Sequence, residues 1–112
     1  MRILSIMTHD PATMKQPTQD DFEKMSRLID EWREKGYLVD TGGAMPGSLE
    51  IRVSRKNGKD TITDGPFAEA KEVVGGFALL EVSSKEEALE LTRRFLDLIG
   101  DATCELHEVS SA

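Results

Sequence analysis

The most unusual local sequence in the chain is Asp64-Gly65-Pro66-Phe67, and it opens two readings. In the first it is punctuation: Asp64 makes an Asx-type turn, Gly65 bends the chain and Pro66 starts a short helical turn. In the second it is a site. An Asn-Gly hairpin turn at Asn57-Gly58 puts Asp64 on the same face as Ile51, Val53 and Ile62. A carboxylate at the end of an apolar face loses solvation, which raises its pKa and suits it to proton transfer. Arg52 and Lys71, if near it, oppose that rise or hold an anionic substrate. Gly65 and Phe67 would then belong to the wall of the same pocket.

Two histidines are the other candidates for proton transfer. His9 follows the first apolar run, beside Asp10 and Pro11, and reads either as a loop residue or as a catalyst. His107 lies in the last apolar run, three residues after Cys104. On a strand that spacing puts the two on opposite faces, so they make a poor metal pair, and no metal site is expected. If Leu106 and Cys104 face the helices, His107 and Glu105 point the other way. Gly42 and Gly47 have the spacing of a phosphate loop with Ser48 behind them, yet the lysine is missing and a strand follows instead of a helix. These glycines read as a turn, or as a place where backbone approaches a ligand beside Ser48. No Gly-x-Ser-x-Gly elbow and no His-Glu-x-x-His helix is present.

The elements that must position these residues follow from periodicity. Residues 3–7 form a short apolar run ended by His9, Asp10 and Pro11, a first strand. Thr18 with Asp21 resembles a capping box. Behind it Phe22, Met25, Leu28, Ile29 and Trp32 share one helical face, and Gly36 ends the helix. A short strand over residues 37–39 runs into the glycines. Leu49, Ile51 and Val53 alternate with polar residues, and the turn at Asn57-Gly58 pairs Lys56 with Lys59, Val53 with Ile62 and Ile51 with Asp64. Residues 75–82 make another apolar run. Ser83 or Ser84 caps a second helix whose inner face carries Ala88, Leu91, Thr92, Phe95 and Ile99, and residues 104–109 close as a last strand.

With the hairpin set aside, the order is strand–helix–strand–strand–helix–strand, the split βαβ of an α+β, ferredoxin-like fold. Two helices cover only one face of such a sheet. In residues 77–82 both alternating sets are mainly apolar, which suits a strand buried on both sides. The expected cover for the second face is another copy of the chain, a homodimer.

The 112 residues make one domain, and 38% hydrophobic residues with nine glycines fall in the globular range. A net charge of −7 makes nucleic acid and anionic membrane poor partners. The charge is uneven: residues 1–56 hold nine basic and nine acidic side chains, residues 57–112 five and twelve. Single Cys104 forms no internal disulfide and fits a reducing compartment. No signal peptide and no membrane span is read, so a cytoplasmic protein is expected.

Taken together, the run Thr63-Asp64-Gly65-Pro66-Phe67-Ala68-Glu69-Ala70-Lys71-Glu72 and then Gly75-Gly76-Phe77 resembles the signature of the DGPF branch of the YCII-related family. The Gly42-Gly43 turn and the hairpin fall where that branch has them. The resemblance implies a ferredoxin-like domain that pairs into a dimeric α/β barrel. The wider superfamily it implies includes muconolactone isomerase-like enzymes and small monooxygenases, which place substrates between sheet and helices. Other YCII-related proteins carry a histidine early in the first helix, paired with an aspartate. Here that stretch is Gln19-Asp20-Asp21-Phe22-Glu23, so the dyad does not carry over, and any chemistry falls to Asp64, His9 or His107. Some proteins of this type are encoded beside, or fused to, extracytoplasmic-function sigma factors, which implies a partner role at most.

Two functions are therefore expected to compete. One is a cofactor-free isomerase or lyase acting on a small anionic organic substrate, with Asp64 moving the proton and Arg52 or Lys71 holding the anion. The other is a non-catalytic ligand-binding or regulatory module, partnering a sigma factor through the acidic second half.

Overall fold

The computed structural model describes residues 1–13, 16–44, 49–65, 67 and 73–110. The elements run β1 (Arg2–His9), α1 (Gln19–Glu34), β2 (Leu38–Gly43), β3 (Ile51–Lys56), β4 (Lys59–Asp64), β5 (Val73–Glu81), α2 (Lys85–Ile99) and β6 (Thr103–Glu108). Four strands form one antiparallel sheet in the order β2-β5-β1-β6, and β3 with β4 form a separate two-stranded hairpin. This is the expected α+β, ferredoxin-like arrangement with an inserted hairpin.

Both helices begin where their caps say. Thr18 Oγ1 accepts from the Asp21 N–H at 3.2 Å, and Asp21 Oδ2 accepts from the Thr18 N–H at 2.8 Å. Those bonds from Thr18 hold the Asp21 carboxyl below the usual carboxylate range. Of the two serines before α2, Ser84 is the cap and accepts from the Glu87 N–H at 3.1 Å. Ser83 instead donates its backbone N–H to the Glu87 carboxylate at 2.9 Å.

The two helices lie on one face of the sheet. The core there is Ile3, Leu38 and Leu80 from the strands, Val82 beyond β5, and Trp32, Ala88 and Leu91 from the helices. An exposed ion pair, Arg94 Nη1 to Glu31 Oε2 at 2.7 Å, ties α2 to α1. On the other face Leu4, Ile6, Leu79 and Phe77 share two cross-strand rows. Phe77 is 42% exposed, and the other three are half-buried. The burial expected on both sides of β5 is therefore met on one side only within a single chain.

The hairpin has the expected register: Lys56 opposite Lys59, Val53 opposite Ile62 and Ile51 opposite Asp64. Its turn places Asn57 at φ 52° and Gly58 at φ 74°, the left-handed pair that matches the twist of two-residue hairpins. All twelve of its strand residues are exposed. No helix of the described chain is long and apolar enough to cross a membrane.

Candidate functional site

Between the helices and the sheet lies a cavity of about 300 Å³, at the small end of the range for small-molecule sites. Met7, Ala78 and Leu80 are among its sheet-side walls, and Leu28, Trp32 and Phe95 among its helix-side walls. Gly42, Gly43, Gly75 and Gly76 line it too, at adjoining positions of β2 and β5. At three of them an added Cβ would force a neighbour to move. A Cβ on Gly42 would stand 2.8 Å from the Phe77 ring, one on Gly75 2.5 Å from Met7 Cε, and one on Gly76 2.7 Å from the Gly42 carbonyl oxygen. A Cβ on Gly43 would meet only the Gly75 carbonyl oxygen, at 3.8 Å, an ordinary contact.

The lining is apolar and, among the described residues, uncharged. Its cysteine, Cys104, is raised in pKa by burial, against a hydrogen bond with Ser5 that works the other way. The thiol therefore stays protonated near neutrality and is a poor nucleophile. An anion here would lose its hydration with no cation in the wall to replace it, so the cavity suits a neutral guest.

The structure scatters the residues singled out in the sequence. His9 ends β1 half-buried, its Cδ2 2.7 Å from where a Cβ of Gly75 would stand, so its ring abuts the cavity wall. Its Nδ1 is sealed from solvent and has no hydrogen-bond partner. Asp64 has the predicted register but is exposed in the single chain, where none of the described residues covers the hairpin face. Arg52, on the opposite face of β3 from Ile51 and Val53, is exposed. Its guanidinium stacks on Phe67, 4.1 Å from the ring centroid, a cation–π contact. Gly65 donates its N–H to the Glu50 carbonyl at 2.7 Å, and a Cβ there would lie 2.6 Å from Glu50 Cβ. That close approach gives the glycine of the motif a structural role. Ser48 and Lys71 lie outside the described residues.

His107 is exposed on the open face of the sheet, opposite Leu4, with Nε2 3.7 Å from Glu105 Oε2. Leu106 packs toward the core and Cys104 lines the cavity, as the alternation of β6 predicts. Among the described residues no three His, Cys, Asp or Glu side chains gather as metal ligands.

The hairpin is legible in the sequence, and the family resemblance implies a site between sheet and helices, but the residues that line the cavity are not legible together. Trp32 was legible as a core position of α1, and Gly42-Gly43 as a place where backbone meets a ligand. Nothing in their spacing says that they border the same space as Met7 and Cys104.

Residues 1–95 match the family model described as the YCII-related domain, and the chain belongs to that family. An uncharacterised protein of Rhizobium meliloti (strain 1021) is 29% identical over 82 residues, 73% of this chain. The match spans 66% of that relative, just under two thirds of its length. Two solved structures of CutA1 from Pyrococcus horikoshii align with the whole of this chain and 86% of their own, at 13% identity and TM-scores of 0.41 and 0.40.

Proposed function

We propose that this YCII-related domain, of the DGPF branch, binds a small neutral organic molecule between its sheet and helices and acts on it without a cofactor, as an isomerase or lyase. The observation that carries this reading is an apolar cavity of about 300 Å³ with a half-buried histidine against its wall. Histidine exchanges protons near neutral pH, and neutral imidazole offers one lone pair and one N–H. His9 is the proton-transfer group in this proposal, taking a proton from carbon and returning it elsewhere on the same molecule. Asp64 and His107 stand in open surroundings, which support roles in the turn and at a subunit contact instead. The run of residues 63–72 supports the DGPF branch.

The unit we propose is a homodimer. Its support is the open sheet face bearing Leu4, Ile6, Phe77 and Leu79, together with the uncovered Val53 and Ile62 of the hairpin. The same exposed hairpin favours a second reading, a regulatory module that turns nothing over and offers this arm to a protein partner such as a sigma factor.

A thermal-shift screen with neutral cyclic ketones and lactones, set beside organic acids, tests the first reading. A ligand at a hundred times its dissociation constant stabilises by about 2.7 kcal/mol, roughly 4–8 °C in a domain this size. Neutral compounds are expected to shift the wild type and a His9→Gln variant alike, while turnover of any hit is lost in the variant. Shifts confined to organic acids would overturn the neutral-ligand reading. Full turnover in His9→Gln would remove His9 from the chemistry.

A further inference from the structure

Apolar walls hold a guest by its size, and the few polar atoms among them decide which guest of that size is held. Besides the thiol, four side chains of the lining among the described residues carry a hydrogen-bond donor: Ser5, Thr41, Thr92 and Trp32. Three are engaged within the protein. Thr41 Oγ1 donates to the Phe77 carbonyl at 2.8 Å and Thr92 Oγ1 to the Ala88 carbonyl at 2.8 Å. Ser5, 8% exposed, is hydrogen-bonded with Cys104. The fourth is the indole N–H of Trp32, on a side chain 5% exposed, with its Nε1 sealed from solvent and without a partner.

Indole nitrogen only donates, and a buried donor left unpaired is rare enough in folded proteins to need a reason. We infer that Trp32 is the specificity-determining residue of this cavity, donating its indole N–H to an acceptor oxygen of a small neutral carbonyl compound. The inference rests on the cavity being a binding site. A carbonyl fits better than a carboxylate because it accepts the bond without bringing a charge into a wall that has no cation to meet it. Because the nitrogen is closed off by its neighbours from the cavity as well as from solvent, pairing requires the ring to reorient toward the guest.

The two compounds that test this are 2-indanone and indane, which share a shape and differ by a carbonyl in place of a methylene. Trp32 is the chain's single tryptophan, so its fluorescence and its one indole N–H cross-peak report on the site without a label. The wild type is expected to bind 2-indanone between about twofold and tenfold more tightly than indane, the worth of one neutral hydrogen bond. The indole cross-peak should move with 2-indanone and much less with indane. Trp32→Phe, followed by thermal shift, should abolish the preference, so that 2-indanone and indane bind alike whatever the smaller ring does to the affinity for both. Equal binding of the two by the wild type, or a preference that survives in the variant, would overturn the inference and leave Trp32 as wall alone. If Trp32→Phe fails to fold, the wild-type ratio and the cross-peak decide. Binding of neither compound, while other neutral compounds bind, defeats this carbonyl-donor assignment but not the cavity; binding of no neutral compound at all defeats the cavity reading itself.

Discussion

Ile3 and Leu80 face each other across β1 and β5, as Val53 and Ile62 do across β3 and β4. The first pair is 6% and 2% exposed, the second 65% and 68%. Alternation is the same in both places, although a two-residue turn sets the pairing only in the hairpin and β1 with β5 is a long-range pair. What sets their burial apart is the second layer. The four-stranded sheet has α1 and α2 to bury its apolar face against, and the hairpin has no such layer among the described residues. The radius of gyration, 15.9 Å, accordingly exceeds the roughly 13 Å of a compact chain of this length. An isolated two-stranded hairpin is at best marginally stable in water, so the exposed arm and the proposed homodimer explain each other.

That contrast is open to direct attack. The largest effect is expected from Leu80→Ala, which removes about 2–5 kcal/mol of stability by denaturant unfolding as a buried side chain leaves a cavity. Val53→Ala, at a dilution where the chain is monomeric, should change it by no more than about 0.5 kcal/mol. Comparable costs at the two sites would mean that the hairpin is covered after all. Next in size is Ile62→Asp, which places a charge on the hairpin's apolar face. Sedimentation is expected to show wild-type dimer giving way to monomer in the variant at the same concentration, and a wild type already monomeric at micromolar concentration would end the homodimer proposal.

A smaller effect on the fold, with a large one on binding, is expected from Gly43→Val. The backbone there has room for a side chain, so melting of the free protein should move little while the added methyls narrow the cavity. A ligand-induced thermal shift that persists in Gly43→Val would separate the binding site from this end of the cavity. The smallest effect concerns acid. The Arg94 side chain holds the Glu31 carboxyl below the usual carboxylate range. A depressed folded-state pKa gives stability that is present above the ordinary carboxylate range and lost as pH falls through the lowered value. Glu31→Gln should flatten that part of the melting-versus-pH curve. The Asp60 carboxyl, lowered in the same way by Arg55, sits on the hairpin, and Asp60→Asn should leave the melting of the main sheet unchanged.

Much of the fold was legible because it is written in local rules. The capping box at Thr18, the pair of left-handed residues at Asn57-Gly58 and the alternation of β6 each need only a few neighbouring residues to be read. The hairpin register, correct at every pair, follows from one turn. The site was less legible, and for a physical reason. Asp64 was placed on the right face, but whether a face is wet depends on what lies across from it, and that is decided by elements elsewhere in the chain. The cavity draws its wall from β1, α1, β2, β5, α2 and β6. A donor left over in such a wall, like Trp32 Nε1, is recognised only after every other hydrogen bond has been assigned.

The order of strands in the main sheet also has a consequence in time. β1 lies between β5 and β6, so both its neighbours come from residue 73 onward, while β3 and β4 are joined by two residues. A hairpin of that kind closes in microseconds, whereas long-range pairing waits on the closure of a large loop. On a ribosome, β1 would emerge before both its partners and stay unpaired at least until β5 had been made. Its apolar side chains would be uncovered throughout that interval, a window in which chaperones or neighbouring nascent chains compete with the native partners.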